Sequence, residues 1–319
     1  MSLLTKIPIS KASSPIDYGS RLLLLGSCFS ENIGAKLTYY KFQNLQNPFG
    51  ILFHPLAIER LIHNAVQQIV YGEDDVFKAS ERWHCFNAHS ILSNPSKEEI
   101  ITDLNEHSNQ TYIQLKNTNY IIITLGTAWV YRKKSDGQVV ANCHKVPQIN
   151  FTKELLGVDI VVGSLQRIIS LVRSLNNKVQ FIFTVSPVRH LKDGFVENQL
   201  SKAHLISAIH EVLKLDNTSY FPSYELMMDE LRDYRFYGKD MIHPNETAID
   251  YIWEKFREVW IDVKVDETMK MVHEIQQGLR HRAFDPNGLA HQKFLRSLEG
   301  KIAYIKKEYP FMDFNSTKS

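Results

Sequence analysis

The chain has 319 residues, 44% of them hydrophobic, and a formal net charge of +2 at pH 7. This length suits one large α/β domain with additions, or two smaller domains. The net charge is close to neutral, and the sequence contains no block of basic residues. Both observations argue against nucleic acid as the main partner. No apolar run approaches the roughly 20 residues that a bilayer-spanning helix needs, so we expect no membrane span.

The N-terminal segment and the cysteines indicate the expected location of the protein and exclude some kinds of site. Residues 1–8 contain too short an apolar stretch for a secretory signal, so a cytoplasmic location is expected. The three cysteines, Cys28, Cys85 and Cys143, lack the close spacing of a disulfide framework or a zinc site. We therefore expect no metal and no cofactor, and the oligomeric state stays open.

The first strong element is a run of four leucines, Leu22–Leu25, followed by Gly26. Such a run is typical of a short strand that is buried on both faces of a sheet. Residues 44–55 predict a structured loop, because two prolines and a glycine stand among bulky apolar residues. Further buried strands are predicted at 120–126, 179–185 and 219–222, and a hairpin at 130–140 around Asp136-Gly137.

Helices are predicted between these strands from apolar residues that recur every three or four positions. They are expected at 29–40, 56–71, 97–116, 159–175, 198–214 and 223–231, around 248–260, from 264 onward and at 289–307. Alternation of strands and helices predicts a mainly parallel sheet between two helical layers, a three-layer α/β/α sandwich. We expect a main domain over 1–262, with an insertion around 72–118, and a C-terminal helical extension over 263–319.

Ser27 stands where the first strand ends and the first helix begins. Open α/β sheets bind their ligands at this carboxyl edge, and a helix N-terminus stabilises negative charge. Ser27 could therefore be a nucleophile. The alternative is that Ser27 is only the N-cap of the helix, which is the usual role of a serine in this place and which this stretch alone favours. Cys28, the next residue, is a rival nucleophile or a packing residue.

A base for such a nucleophile could come from another loop at the same edge. His243 follows the last strand region and precedes a helix, and Asp240 lies three residues earlier. One turn of chain can bring this carboxylate to the imidazole, so the pair supplies a base and the group that orients it. The alternatives are an N-cap for His243 and a surface turn for Asp240.

The stretch Gly26-Ser27-Cys28-Phe29-Ser30 resembles the Gly-Ser-Cys-Phe-Ala signature of the GSCFA family, which looks like a branch of the SGNH (GDSL-type) hydrolases. Further motifs match this family in order over roughly residues 20–260. They are Asn47-Pro48-Phe49-Gly50, Leu125-Gly126-Thr127-Ala128-Trp129, Asn142-Cys143-His144-Lys145-Val146-Pro147, Ser186-Pro187-Val188-Arg189-His190, Tyr220-Phe221-Pro222-Ser223-Tyr224-Glu225 and Asp240 to Pro244.

The resemblance implies an SGNH-type sandwich with flavodoxin-like strand order and assigns roles at matching positions. Ser27 matches the nucleophile whose own N–H joins the oxyanion hole, and Asp240 and His243 match the Asp-x-x-His block. Gly50 matches a glycine oxyanion donor. The asparagine donor expected after Gly126 is missing from this sequence.

Three residues could substitute for that missing asparagine, and spacing does not choose among them: Thr127, Asn142 and Asn47. Arg189 and His190, which follow a strand, could bind an anionic part of the substrate or pair with a carboxylate. Both readings stay open.

The resemblance further implies a serine esterase-type hydrolase that acts through an acyl-enzyme. The expected substrate is a small-molecule or carbohydrate ester, such as an acetylated sugar or a similar small acyl ester. The alternatives are an O-acyltransferase with the same residues and a catalytically silent binding protein that retains the fold.

Overall fold

The computed structural model describes residues 5–314. Its strands are β1 (Arg21–Gly26), β2 (Gln43–Gln46), β3 (Phe77–Ala79), β4 (Arg82–His84), β5 (Tyr120–Leu125), β6 (Trp129–Lys133), β7 (Val139–Val140), β8 (Phe151–Leu155), β9 (Gln180–Val185) and β10 (Thr218–Tyr220). Its α-helices are α1 (Cys28–Tyr39), α2 (Pro55–Val66), α3 (Lys97–Asn117), α4 (Val158–Leu175), α5 (Phe195–Val212), α6 (Ser223–Glu225, continued by a π-turn), α7 (Glu246–Trp260), α8 (Asp266–Arg280) and α9 (Leu289–Glu308).

A five-stranded parallel sheet forms the middle layer, in the order β10-β9-β5-β1-β2. Counted along the chain within this sheet, the order is 2-1-3-4-5, as in flavodoxin-like folds. Helices cover both faces. The expected three-layer α/β/α sandwich with a mainly parallel sheet and C-terminal helices is confirmed.

The leucine strand shows why this arrangement is stable. Successive side chains of a strand point to opposite faces, so its leucines divide between two cores. Leu23 and Leu25 pack in the core formed with α2, α3, α4 and α5. Leu22 and Leu24 pack in the core formed with α1, α7, α8 and α9. All four leucines are fully buried, as the unbroken apolar run predicts.

Three elements differ from the sequence prediction. The predicted loop at 44–55 begins with β2, a polar edge strand whose composition hides its pairing with β1. β8 was not predicted and pairs antiparallel with β6, beside the expected Asp-Gly hairpin of β6 and β7. α2 ends at Val66 rather than residue 71, because Gln68 adopts a left-handed backbone with φ of +51°.

Candidate active site

A cavity of about 650 Å³ opens at the carboxyl edge of the sheet. β1, β5 and β9 all end there, and the segments that follow them form its walls. The lining includes Cys28, Thr127, Arg189 and His190, together with His243 from a later turn. Parallel strands thus bring together residues that lie more than 200 positions apart, at the edge where open α/β sheets bind ligands.

Gly26 makes the turn from β1 into α1 possible. Its φ is +131°, a backbone conformation that side chains strongly disfavour. A methyl group on Gly26 would also lie 2.1 Å from the carbonyl oxygen of Thr124 on β5. The turn therefore brings the chain against its neighbouring strand, closer than any other residue type allows.

Ser27 is fully buried and faces into the protein. Its Oγ accepts a hydrogen bond from the N–H of Phe29 at 3.3 Å, which makes it the N-cap of α1. Its own N–H donates to the Thr124 carbonyl at 3.0 Å and extends the pairing of β1 with β5. The sheet thus engages the N–H that the resemblance assigns to an oxyanion hole, and that catalytic role stays a prediction.

Cys28 is the first residue of α1, and unlike Ser27 it is half-buried and lines the cavity. Burial raises the pKa of the Cys28 thiol, and the Glu31 carboxylate adds to this effect. The Lys202 ammonium and the N–H groups of Cys28 and Phe29 act in the opposite direction on the same pKa. The raising effects prevail, so the thiol needs a base before it can react.

Asp240 and His243 meet as their spacing predicts. Oδ2 of Asp240 lies 2.6 Å from Nδ1 of His243, and Oδ1 accepts from the N–H groups of Ile242 and His243 at 2.9 and 3.0 Å. These backbone hydrogen bonds, with that from the imidazole, hold the pKa of Asp240 well below its usual range. The carboxylate is thus ionised and orients the ring, which lines the cavity.

Arg189 holds this turn in place and is not paired with a carboxylate there. Its guanidinium lies 4.2 Å from the ring centre of Tyr237 and donates to the carbonyl of Met241 at 2.7 Å. Its backbone N–H donates to the carbonyl of Ile242 at 3.3 Å. Arg189 also lines the cavity, so it fastens the turn that carries His243 to the segment after β9.

His190 presents an unpaired nitrogen at the strand ends. Its Nε2 is buried and has no hydrogen-bond partner among residues 5–314. A methyl group on Gly126 would lie 3.4 Å from this nitrogen and 3.2 Å from Cβ of Ser27. Burial lowers the pKa of His190 to about 3, and the charges of Lys202 and His243 contribute. The ring is therefore neutral at physiological pH.

Lys202 is a residue of this region that sequence reasoning missed. Its side chain is fully buried beneath the strand ends and donates to the carbonyls of Gly126 and Ser186, each at 2.7 Å. Burial lowers its pKa to about 7. A signal existed: Asn198, Ser201, Lys202 and Leu205 share the buried face of α5 at spacings of three and four.

Two of the expected oxyanion donors have other roles. Asn47 supports the Gly26 turn: its Oδ1 accepts from the Gly26 N–H at 2.9 Å, and its Nδ2 donates to Ser30. The N–H of Gly50 donates to the Asn47 carbonyl at 2.7 Å within a turn, and Gly50 lines a different cavity. Neither residue is among those that line the cavity of His243. The oxyanion role implied for Gly50 and the one left open for Asn47 stay predictions, which these contacts do not favour.

The other two candidates, Thr127 and Asn142, do line the cavity. The Thr127 hydroxyl is engaged with Ser201 at 3.1 Å and accepts the N–H of Trp129 at 3.0 Å. Asn142 accepts the N–H of His144 at 2.8 Å with its amide oxygen. Asn142 is therefore the better placed of the two to offer an amide N–H to a ligand.

Within residues 5–314, no group of three or more His, Cys, Asp or Glu side chains could hold a metal ion. None of the helices in the same range combines the length and apolarity of a bilayer crossing.

Comparisons with solved structures find two esterases among the matches. A carbohydrate esterase family 3 protein from Talaromyces cellulolyticus is 9% identical with a TM-score of 0.36, covering 79% of this chain and 98% of that one. The acetyl xylan esterase Est2A from Butyrivibrio proteoclasticus is 12% identical with a TM-score of 0.38, covering 80% of this chain and 66% of that one. Similarity of this degree carries no argument about function.

No curated protein sequence matches the chain. Two family models do match it, and together they span most of its length. The model of the GSCFA domain protein, C-terminal domain, matches residues 272–319. The model of the GSCFA family matches residues 21–256, which include Gly26 to Ser30 and the Asp240–His243 turn. The chain therefore belongs to the GSCFA family.

Proposed function

We propose that this protein hydrolyses ester bonds through a covalent acyl-enzyme, in the manner of SGNH hydrolases. One observation carries the proposal. The Asp240 carboxylate holds the His243 imidazole at 2.6 Å, and this imidazole lines the same cavity as the first turn of α1. An ionised carboxylate, an oriented imidazole and a nucleophile-bearing helix N-terminus are the parts that acyl transfer needs.

The imidazole acts as the base. Donation from Nδ1–H to Asp240 assigns the tautomer in which Nε2 has a lone pair. Nε2 takes the proton of a nucleophile in the Ser27–Cys28 turn, which attacks the ester carbonyl carbon. The carbon–oxygen bond of the ester then breaks, and the alcohol leaves with the proton from His243. Water, deprotonated by the same nitrogen, releases the acid and restores the nucleophile.

The oxyanion of the tetrahedral intermediate needs N–H donors. Cys28 is the first residue of α1, so its N–H precedes the helical hydrogen-bond ladder, and the helix dipole favours negative charge there. We assign this N–H as one donor. The amide nitrogen of Asn142 is the second, because Asn142 lines the same cavity. It replaces the asparagine that the SGNH pattern places after Gly126.

The volume and lining of the cavity suit a small acyl ester with a larger alcohol. Its volume of about 650 Å³ lies in the range of small-molecule sites. The lining includes the aromatic side chains of Phe53, Trp129 and Tyr131. It also includes polar groups such as those of Asn142 and His243. An acetylated carbohydrate fits this combination of ring faces and polar groups.

Steady-state hydrolysis of 4-nitrophenyl acetate and of acetylated xylose tests the proposal. We expect turnover by the wild-type protein and a fall in kcat/KM of about 100- to 10,000-fold in His243→Ala, since a general base is lost. Asp240→Asn should also lower the rate, because the imidazole loses its orienting acceptor.

His210→Ala is the matched control, because this exposed histidine on α5 is not part of the cavity lining. It should hydrolyse both esters at the wild-type rate. Wild-type protein without esterase activity, or His243→Ala with full activity, would overturn the proposal. Ester binding without turnover would instead support a silent binding protein.

A further inference from the structure

We propose that the sulphur of Cys28, and not the hydroxyl of Ser27, forms the acyl-enzyme. This inference rests on the proposed function and names its nucleophile. It follows from the different directions in which the turn after β1 places the side chains of Ser27 and Cys28. One side chain enters the protein, and the other enters the cavity.

The first reason is that Ser27 and Cys28 differ in how deeply their side chains are buried. Ser27 is 0% exposed, and its Oγ is held by the Phe29 N–H inside the turn. Attack by this hydroxyl would require it to leave the cap and change side. Cys28 is half-buried and shares the cavity wall with Thr127 and His243. The thiol therefore reaches the substrate space without any rearrangement of the helix start.

The surroundings of the sulphur provide an independent reason. Lys202 is fully buried beneath the strand ends, and in its protonated form its charge lowers the pKa of Cys28. Its Nζ is held in place by the Gly126 and Ser186 carbonyls. When protonated, Lys202 favours negative charge that develops on the sulphur during attack.

A second feature of the same edge points to a ligand. The Nε2 atom of His190 is buried, neutral and without a hydrogen-bond partner in residues 5–314. Buried polar atoms rarely stay unpaired in native proteins. This nitrogen and Cβ of Ser27 lie on either side of Gly126, so a substrate oxygen at the Ser27–Cys28 turn would satisfy it. The unpaired atom therefore supports a reacting centre at this turn, and the burial of the two side chains distinguishes Cys28 from Ser27.

The chemical step balances without an external reagent. His243 Nε2 accepts the S–H proton, and the sulphur bonds to the ester carbonyl carbon. The C–O bond breaks, and the departing alkoxide takes the proton back from His243. The resulting thioester on Cys28 is cleaved by water, with His243 again as the base, to give a carboxylic acid and the free thiol. Burial raises the pKa of Cys28, so the thiol depends on this base.

Trapping the intermediate decides between the two nucleophiles. The protein would be mixed with 4-nitrophenyl acetate, quenched in acid within one turnover, and the acetylated residue located by peptide mass spectrometry. We expect the acetyl group on Cys28, with release by neutral hydroxylamine, which cleaves thioesters and leaves ordinary serine esters intact. Cys28→Ser and Cys28→Ala should lower the rate of hydrolysis at least about 100-fold.

Two variants serve as comparisons. Ser27→Ala should still acetylate Cys28, with a rate reduced no more than roughly tenfold through the weakened cap. Cys143→Ser removes another thiol of the same cavity wall and should leave the adduct on Cys28. Far-ultraviolet circular dichroism of each variant establishes that it is folded.

A hydroxylamine-stable acetyl group on Ser27, present also in Cys28→Ala, would overturn the inference and leave the proposed function standing. Wild-type protein that neither forms an adduct nor turns over ester would overturn both. Acetylation of Cys28 that persists in His243→Ala at the wild-type rate would contradict the proposed function, because the base would then be unnecessary.

Discussion

The two walls of the cavity are built in opposite ways. The strand-end wall is supported by Gly26, Ser27 and Lys202, which lie behind the cavity lining. Buried hydrogen bonds join them to Asn47, Thr124 and Gly126, respectively. The turn wall contains Asp240 and His243, whose side chains are 48% and 53% exposed. The first wall belongs to the core, whereas local hydrogen bonds and Arg189 hold the second. Changes in the first wall should therefore affect folding, and changes in the second should affect activity.

The largest difference in stability is expected when one glycine near each wall is replaced by alanine. Gly26→Ala places a methyl group 2.1 Å from the Thr124 carbonyl at a φ of +131°, so we expect a loss of roughly 3 kcal/mol or more and poor yield of folded protein. Gly238→Ala meets its nearest atoms at 3.6 Å and should change stability by less than about 0.5 kcal/mol.

Urea denaturation of both variants measures the difference. Equal unfolding midpoints would show that the strand-end wall adapts to a side chain, and the contrast between the walls would fail.

Lys202 should give the strand-end wall a dependence on alkaline pH. Its pKa is lowered from 10.5 to about 7, so between these values the unfolded chain holds a proton that the folded chain has lost. Raising the pH through this window therefore favours the folded state, by about 1.4 kcal/mol per pH unit at most. Below about pH 7 both states are protonated, and the effect ends.

The comparison is with Lys202→Gln, which keeps an N–H donor and removes the charge. The difference in unfolding free energy between wild type and variant, measured in urea at pH 7, 8 and 9, should grow with pH in favour of the wild type. A difference that stays constant would show that Lys202 keeps its ordinary pKa.

Arg189 should affect the turn wall without affecting the core. Arg189→Met removes the hydrogen bond to Met241 and the stack on Tyr237, so the His243 ring loses its fixed position. We expect kcat for ester hydrolysis to fall about tenfold or more, and unfolding free energy to change by less than about 1 kcal/mol.

Arg232→Met is the control for that variant, because Arg232 is exposed and its partners, Asp229 and the Met228 carbonyl, are one turn away in the chain. Its kcat and its stability should match those of the wild type. If Arg189→Met also keeps full activity, the turn holds its shape without this contact.

The smallest effect concerns the helix caps that adjoin the two walls. Ser27→Ala at the start of α1 and Asn245→Ala at the start of α7 each remove an oxygen that accepts a backbone N–H. Ser27→Ala should lower the unfolding free energy by about 1 kcal/mol. Asn245→Ala should lower it by about 2 kcal/mol, since the Asn245 amide also donates to the carbonyls of Arg235 and Tyr237. Thermal or urea unfolding measures both, and a negligible loss in Ser27→Ala would show that the 3.3 Å cap bond contributes little.

Much of the sheet could be predicted because its strands carry unmistakable apolar runs, such as Leu22–Leu25. β2 could not, since its polar side chains lie at an edge and only backbone pairing with β1 defines it. The three-residue spacing of Asp240 and His243 was likewise sufficient, because both partners belong to one short turn.

The rest of the site depends on contacts between distant segments. If α1 began one residue earlier or later after Gly26, the positions of Ser27 and Cys28 relative to the cavity would change. The spacing of apolar residues does not predict the start of a helix to one residue. Arg189 finds a carbonyl and an aromatic ring instead of an anion because the turn at 237–244 folds back onto it. Asn47 and Gly50 are engaged by the Gly26 turn and by each other, which only the assembled sheet reveals.

The helix that carries Cys28, α1, packs against α8 in the C-terminal part of the chain. Tyr39, in the last turn of α1, pairs its hydroxyl with His273 of α8 at 2.9 Å, and its carbonyl accepts from Gln276. Met269, Val272 and Ile275 share one core with Phe29 and Leu37. A protein shortened at residue 262 for convenience of expression would therefore lose one side of the support of α1. Studies of catalysis should therefore use a protein that retains residues 263–314.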